Sequence, residues 1–178
     1  IHSSADARRI ARRRLPWMVF DYIDGAAGAE TGAVRNRAAF DNLELRPRVL
    51  RDVSDRSLAS SLWGKPTKAP FGIAPMGMCN LSAPGADLML ARLAARENVP
   101  VGVSTVASTA LEAMIEEAQG NAWFQLYFSG DGVGTFKLVE RAKSAGYETL
   151  IVTVDVPEVG RRPRELRHGF NMPFKIGL

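Results

Sequence analysis

Gln125 and Tyr127 stand two residues apart, alternating with Phe124 and Leu126, so in an extended strand they share one face. Thr153 and Asp155 repeat that spacing further along. An amide both donates and accepts, a phenol adds a donor on an aromatic body, and a carboxylate can orient a histidine or neutralise a cation. Ser104-Thr105 brings two hydroxyls, and Pro75-Met76-Gly77 an uncharged segment. Gly160-Arg161-Arg162 follows the Asp155 strand, and the planar fork of arginine grips a carboxylate through two hydrogen bonds. Arg162 is thus the candidate clamp for an acidic substrate. Plainer accounts stand beside these: a satisfied polar pair at a barrel mouth for Gln125 and Tyr127, a solvated charge for Arg162.

Such groups act together only if a scaffold brings their segments to one rim. From residue 70 the pattern predicts a strand over 69–75 and a helix near 84–98, with Leu88, Leu90, Ala91, Leu93 and Ala94 inward. A strand over 99–105, a helix near 109–119, a strand over 122–128, a helix near 134–145 and a strand over 149–155 follow. Strand centres at Ile73, Gly102, Gln125 and Val152 fall 29, 23 and 27 residues apart. This is a run of right-handed βαβ units with a buried parallel sheet. A doubly wound sheet normally carries a glycine fingerprint after its first strand, where this chain has Pro75-Met-Gly-Met-Cys79. A (β/α)8 TIM barrel sets its polar groups at the C-terminal ends of successive strands, and four strands here do so. The expected fold is α/β, a (β/α)8 barrel, with this chain supplying an N-terminal helical segment and the first four strands. A closed barrel takes typically ~250 residues, and half of one exposes an apolar edge that something must cover.

Before the strands, Asp6 can cap a helix over 5–23 that Pro16 breaks or restarts, with Arg8, Arg9, Arg12, Arg13 and Arg14 as a solvated face. The glycine-rich stretch Gly25–Gly32 is neither a dinucleotide fingerprint nor a phosphate loop and reads as a helix terminus and turn. Residues 33–69 read as irregular, with extended pieces around 43–45 and 60–63. The expected division is a helical and irregular cap over 1–69, a half-barrel over 70–160 and a loop over 161–178.

Apolar residues make up 46% of the 178 and charged residues 24%, which excludes disorder and collagen-like repetition. No apolar run approaches the ~18 residues of a membrane span, no charged-then-apolar leader is seen, and the single Cys79 cannot form an internal disulfide. A cytoplasmic protein is expected, with a peripheral position on the inner face of the membrane as the alternative. The net charge of +4 is uneven: residues 1–56 hold 11 basic and 8 acidic side chains, 57–157 hold 7 and 9, and 158–178 hold 5 and 2. Basic ends suit an anionic substrate or surface. Nucleic acid is not an expected partner, because no aromatic platform interleaves with the arginines. No metal site is expected.

Together these residues resemble the FMN-dependent L-2-hydroxy-acid oxidases and dehydrogenases, the family of glycolate oxidase, respiratory L-lactate dehydrogenase, lactate monooxygenase and mandelate dehydrogenase. The resemblance is carried by Leu15-Pro-Trp-Met-Val-Phe-Asp-Tyr22, Asn36-Arg-Ala-Ala-Phe40, Arg46-Pro-Arg-Val-Leu50 and Ile73-Ala-Pro-Met-Gly77. Ser104-Thr105, Trp123-Phe-Gln-Leu-Tyr127 and Thr153-Val-Asp-Val-Pro-Glu-Val-Gly-Arg-Arg162 complete it. It implies a flavoprotein oxidoreductase with FMN at the C-terminal barrel mouth. The backbone of Pro75, Met76 and Gly77 would lie against the flavin ring, Ser104, Gln125 and Thr153 would bond its polar edge, and Tyr127 would also adjoin it. Tyr22 and Arg162 would bind the carboxylate of a small 2-hydroxy acid, Tyr127 would touch its hydroxyl, and Asp155 would support a catalytic histidine. Val106 stands where several small-substrate members carry tryptophan, which implies lactate, mandelate or a longer acid rather than glycolate. Gly77 stands where oxidases commonly carry alanine, which implies a dehydrogenase using a membrane quinone; alternatively Gly77 serves only a tight turn.

The family's second half supplies the histidine, a lysine at the flavin, a second arginine and a phosphate-binding motif, none of which this chain matches. His2 and His168 match no catalytic position and are expected at the surface. Residues 1–178 by themselves are expected to be inactive, with the second half of the barrel in the same protein or another chain. Residues 161–178 would begin the family's mobile loop, and a homo-oligomer is expected. Two other readings are a different FMN-barrel oxidoreductase and a non-catalytic half-barrel that binds an anion or a partner.

Overall fold

The computed structural model describes residues 1–128, 132–155 and 160–169. Its elements are, in chain order, α1 (Ser4–Arg14), α2 (Trp17–Asp24), α3 (Thr31–Ala38), β1 (Ser60–Leu62), β2 (Lys65–Thr67), β3 (Ile73–Met76), α4 (Ala86–Glu97), β4 (Val101–Ser104), α5 (Leu111–Glu117), β5 (Ala122–Tyr127), α6 (Val133–Ser144), β6 (Leu150–Thr153) and α7 (Pro163–Arg167). Short 3₁₀ turns cover Ala39–Asn42 and Cys79–Leu81. Ile1–Arg51 and the described residues after 159 form one unit, and Asp52–Asp155 the other.

The second unit is a sheet with the order β3-β4-β5-β6, parallel throughout. Parallel neighbours need a crossover, and α4, α5 and α6 supply the three. This is the expected first half of a (β/α)8 barrel. Val101 and Val103 are 1% exposed and Phe124 2%, so the β-branched and aromatic positions are the core. Helices α4 and α6 meet it through Ala91, Ala94 and Ala142, and α5 through Leu111, Met114 and Ile115. Tyr147, also buried, donates its hydroxyl to Leu111 O at 2.8 Å, and burial pushes its pKa up. The preceding β1–β2 hairpin turns through Trp63 and Gly64 at φ 47° and 77°, and the Trp63 ring meets Trp123 edge-on at 4.7 Å.

In the first unit Ser3, not Asp6, caps α1: its hydroxyl accepts from Asp6 N at 3.1 Å. The Asp6 carboxylate pairs instead with Arg9 at 2.8 Å. Pro16 separates α1 from α2, as its missing N–H requires, and α1 buries no side chain, as a solvated arginine face should. The glycine stretch is a helix terminus and turn, with Gly25 at the end of α2 and Gly28 at φ 59°. Residues 33–42, expected to be irregular, are helical. Arg8 is the first of the groups that hold the Asp24 carboxyl down to about 2; burial opposes it, and Arg164 at 2.8 Å adds to it. That folded pKa lies below the ordinary one, so the cluster stabilises the fold above the ordinary carboxylate range and is lost as pH falls towards about 2. His168 is not a plain surface residue. Its Nε2 lies 2.7 Å from Asp21 Oδ2, and Trp17 meets its ring edge-on.

The strands β3 and β4 pair with an irregularity between Ile73↔Val101 and Met76↔Val103. Pro75 lies in that interval, has no N–H for the ladder, and leans against Gly102, where an added Cβ would come within 2.6 Å of its N and Cδ. Gly102→Ala is therefore expected to destabilise the protein by about 1–3 kcal/mol in chemical denaturation. Pro75→Ala in the same chain should recover part of that loss. An unchanged midpoint in Gly102→Ala would show that the strands separate freely.

Candidate functional site

The three polar ends of β4, β5 and β6 form one hydrogen-bonded row. Register puts Ser104 opposite Gln125 and Tyr127 opposite Thr153. Ser104 Oγ donates to Gln125 Oε1 at 3.1 Å, and Gln125 Nε2 donates to Thr153 Oγ1 at 2.7 Å. Gln125 is 3% exposed and Ser104 6%, so the amide is fixed in a largely desolvated place where its bonds count for more than in water. Thr105, named beside Ser104 but given no role of its own, locks the row. Its backbone N–H donates to Gln125 Oε1 at 3.3 Å, and its hydroxyl donates to Gln125 O at 2.6 Å while accepting from Tyr127 N at 3.2 Å. Its signal in the sequence was its place beside Ser104, where a hydroxyl can cross to the next strand end.

The oxygen of the Gln125 amide is saturated by two donors, whereas Nε2 spends one of its two hydrogens on Thr153. The Thr153 hydroxyl, an acceptor in that contact, keeps its own hydrogen to give. Around this row Met76, Val106 and Tyr127 are about half exposed, an apolar shelf beside a polar edge. Gly77 adjoins Val106 closely: a Cβ there would lie 2.6 Å from Val106 Cγ2, and Met78 N donates to Val106 O at 3.0 Å. Asp155 follows the end of β6 and is exposed. The described residues contain no group of acidic, histidine or cysteine side chains able to hold a metal.

Tyr22 and Arg162 come together in the first unit. Arg162 Nη2 donates to Tyr22 O at 2.7 Å and Gly25 O at 2.9 Å, and the guanidinium lies 5.3 Å from the Tyr22 ring centroid. Arg162 Nε lies 2.6 Å from Glu165 Oε1 with the N–H not aimed along the contact, so that pairing is electrostatic rather than hydrogen-bonded. Arg162 thus closes the C-terminal carbonyls of α2 and is not a freely solvated charge. Glu165, three residues on, was another partner not anticipated. Residues 156–159 and 170–178, including Pro157 of the Asp155 motif and the end of the basic tail, lie outside the described residues.

Hydroxyl, amide and hydroxyl groups are thus aligned across the strand ends of a half-barrel. Residues 11–178 match the model of the FMN-dependent dehydrogenase family, and the chain belongs to that family. It is 39% identical over 171 residues to 4-hydroxymandelate oxidase of Amycolatopsis orientalis, covering 96% of this chain and 48% of that protein. It is 37% identical over 175 residues to L-lactate dehydrogenase of Haemophilus influenzae, covering 98% of this chain and 46% of that one. The crystal structure of mandelate oxidase superposes with a TM-score of 0.89 at 38% identity, over 95% of this chain and 49% of that chain. The chain therefore spans about half the length of the proteins it matches.

The residues present fit the flavin. Its ring has a polar pyrimidine edge, which the remaining Gln125 and Thr153 hydrogens can meet, and apolar faces, which the shelf of Met76 and Val106 can cover. Gln125→Leu should remove a donor to that edge and leave Ser104 and Thr153 without their partner. FMN should then dissociate from the full-length protein with a Kd raised by about 5- to 100-fold, equivalent to roughly 1–3 kcal/mol. A Kd equal to that of the unaltered protein, measured by flavin fluorescence, would place the ring elsewhere.

Proposed function

We propose that the full-length protein oxidises an L-2-hydroxy acid to the 2-oxo acid with FMN as its cofactor. The observation that carries this reading is the Ser104–Gln125–Thr153 row at the ends of three adjacent parallel strands. Bound FMN would supply the two-electron acceptor for the hydride that leaves the substrate carbon, while the hydroxyl hydrogen leaves as a proton to the histidine of the second half. Arg162 and Tyr22 hold the substrate carboxylate; Arg162 Nη1 takes part in none of the contacts that fix the rest of its guanidinium. The anchoring bonds to Tyr22 O and Gly25 O orient that nitrogen in advance, so less entropy is lost on binding. Tyr127 hydrogen-bonds the substrate hydroxyl from the rim, and Asp155 orients a histidine contributed by the second half of the barrel, which completes the sheet.

Val106 leaves room beside the rim, so the substrate is lactate, mandelate or a longer acid rather than glycolate. Gly77 favours a dehydrogenase that passes its electrons to a membrane quinone, with the protein in the cytoplasm and peripheral on the inner face of the membrane. It works as a homo-oligomer.

The test uses the full-length enzyme without oxygen. L-lactate or L-mandelate should bleach the visible flavin absorption faster than glycolate, and a quinone analogue should restore it faster than aerated buffer. Arg162→Lys should lower kcat/KM by roughly 10- to 100-fold, because a point charge cannot replace the fork, and Tyr22→Phe should cost less. Fastest bleaching by glycolate, or an unchanged kcat/KM in Arg162→Lys, would overturn the substrate assignment.

A further inference from the structure

Asp87 is a buried acid that the proposed reaction does not use. It lies in the first turn of α4, is 2% exposed, and its Oδ2 has no hydrogen-bond partner among the described residues. A carboxylate taken out of water needs partners, and the N-terminal end of a helix supplies part of the compensation. The rest is to be sought in what surrounds it. Asp87 and Cys79 line the same cavity of about 10 Å³ behind β3 and β4, together with Ile73, Met76, Val101 and Met114. That volume is about one water molecule. The Cys79 thiol donates to Met76 O at a long 3.7 Å, and the Asp87 carboxylate lines the same cavity as that thiol. Burial pushes the thiol up to about 11, and the nearby Asp87 carboxylate adds to that shift.

The place of this cluster gives it consequence. Cys79 begins the 3₁₀ turn that follows Met76, Gly77 and the left-handed Met78 at φ 54°. Ser82 Oγ closes that turn on Cys79 O at 2.6 Å, so its exit is fixed as well as its entry. A turn held from behind at Cys79 fixes where the backbone of Met76 and Gly77 stands at the rim.

We propose that Asp87 is a positioning residue for the Met76–Gly77 segment, accepting the Cys79 thiol proton with one carboxylate oxygen and binding one buried water with the other. Its effect on the cofactor rests on the reading that Met76 and Gly77 lie against FMN, whereas the Asp87–Cys79 contact does not.

The test compares the full-length protein with Asp87→Asn, Cys79→Ser and Cys79→Ala, using the pH profile of Cys79 alkylation by iodoacetamide and the FMN Kd. In Asp87→Asn the carboxylate charge is gone, so alkylation at pH 8 should rise about tenfold or more as thiolate forms more readily. The FMN Kd should rise several-fold in Asp87→Asn and Cys79→Ala and return towards the unaltered value in Cys79→Ser, which keeps a donor. An unchanged alkylation profile would overturn the Asp87–Cys79 contact. A changed profile with an unchanged FMN Kd, or equal Kd values in the Ala and Ser variants, would leave Asp87 a packing residue and overturn the proposal. A full-length protein that binds no FMN would overturn the proposed function instead, and the alkylation profile would still decide the contact. Should Asp87→Asn fail to fold, the Cys79 pair decides it.

Discussion

The amide of Gln125 is the contact on which the site depends. One side chain takes hydrogen bonds from β4 and gives one to β6, so the ends of three strands become a single unit. A residue with a donor at one end and an acceptor at the other is needed there. A carboxylate could keep Thr153 only by taking that hydroxyl's own hydrogen, leaving none for a ligand, and an ammonium would lose the bond from the Thr105 N–H. The burial of Gln125 makes each of these bonds costly to break, which is how a polar group inside a sheet also sets its geometry.

The rest of the sheet serves that row. Two valines and Phe124 seal the helix-facing side, while register puts Ser104, Gln125 and Thr153 on the opposite side. Close approach is managed by glycine where it matters. Gly102 lets Pro75 lean in without a clash, and Gly77 leaves its Cβ space to Val106. Positions 77 and 106 are therefore packed against each other, and a Cβ at 77 requires Val106 to shift.

The half-barrel was legible because alternating apolar strands and amphipathic helices repeat at a nearly constant spacing. The polar residues at the strand ends broke that pattern at the same point each time. The helix Thr31–Ala38 was not legible: it buries no side chain, so it has no apolar stripe, and it starts from Glu30 in a left-handed conformation. Asp6 was expected to cap the first helix, and the geometry gives that role to Ser3 instead. Arg162 read as either a clamp or a solvated charge, whereas it is tied to two carbonyls from a segment some 140 positions earlier. Asp87 escaped notice for a related reason, since an acid in a helix's first turn normally faces water and needs no further account.

The central claim is that Gln125 and Thr153 donate to the polar edge of the flavin. Isotope-edited infrared spectroscopy tests it on the full-length protein reconstituted with FMN labelled at its two pyrimidine carbonyls. At least one carbonyl band should lie lower than that of flavin without hydrogen-bond donors, and it should move upward in Thr153→Val. Carbonyl bands at the same frequencies in both proteins would contradict the account, because the row would then face something other than the flavin edge.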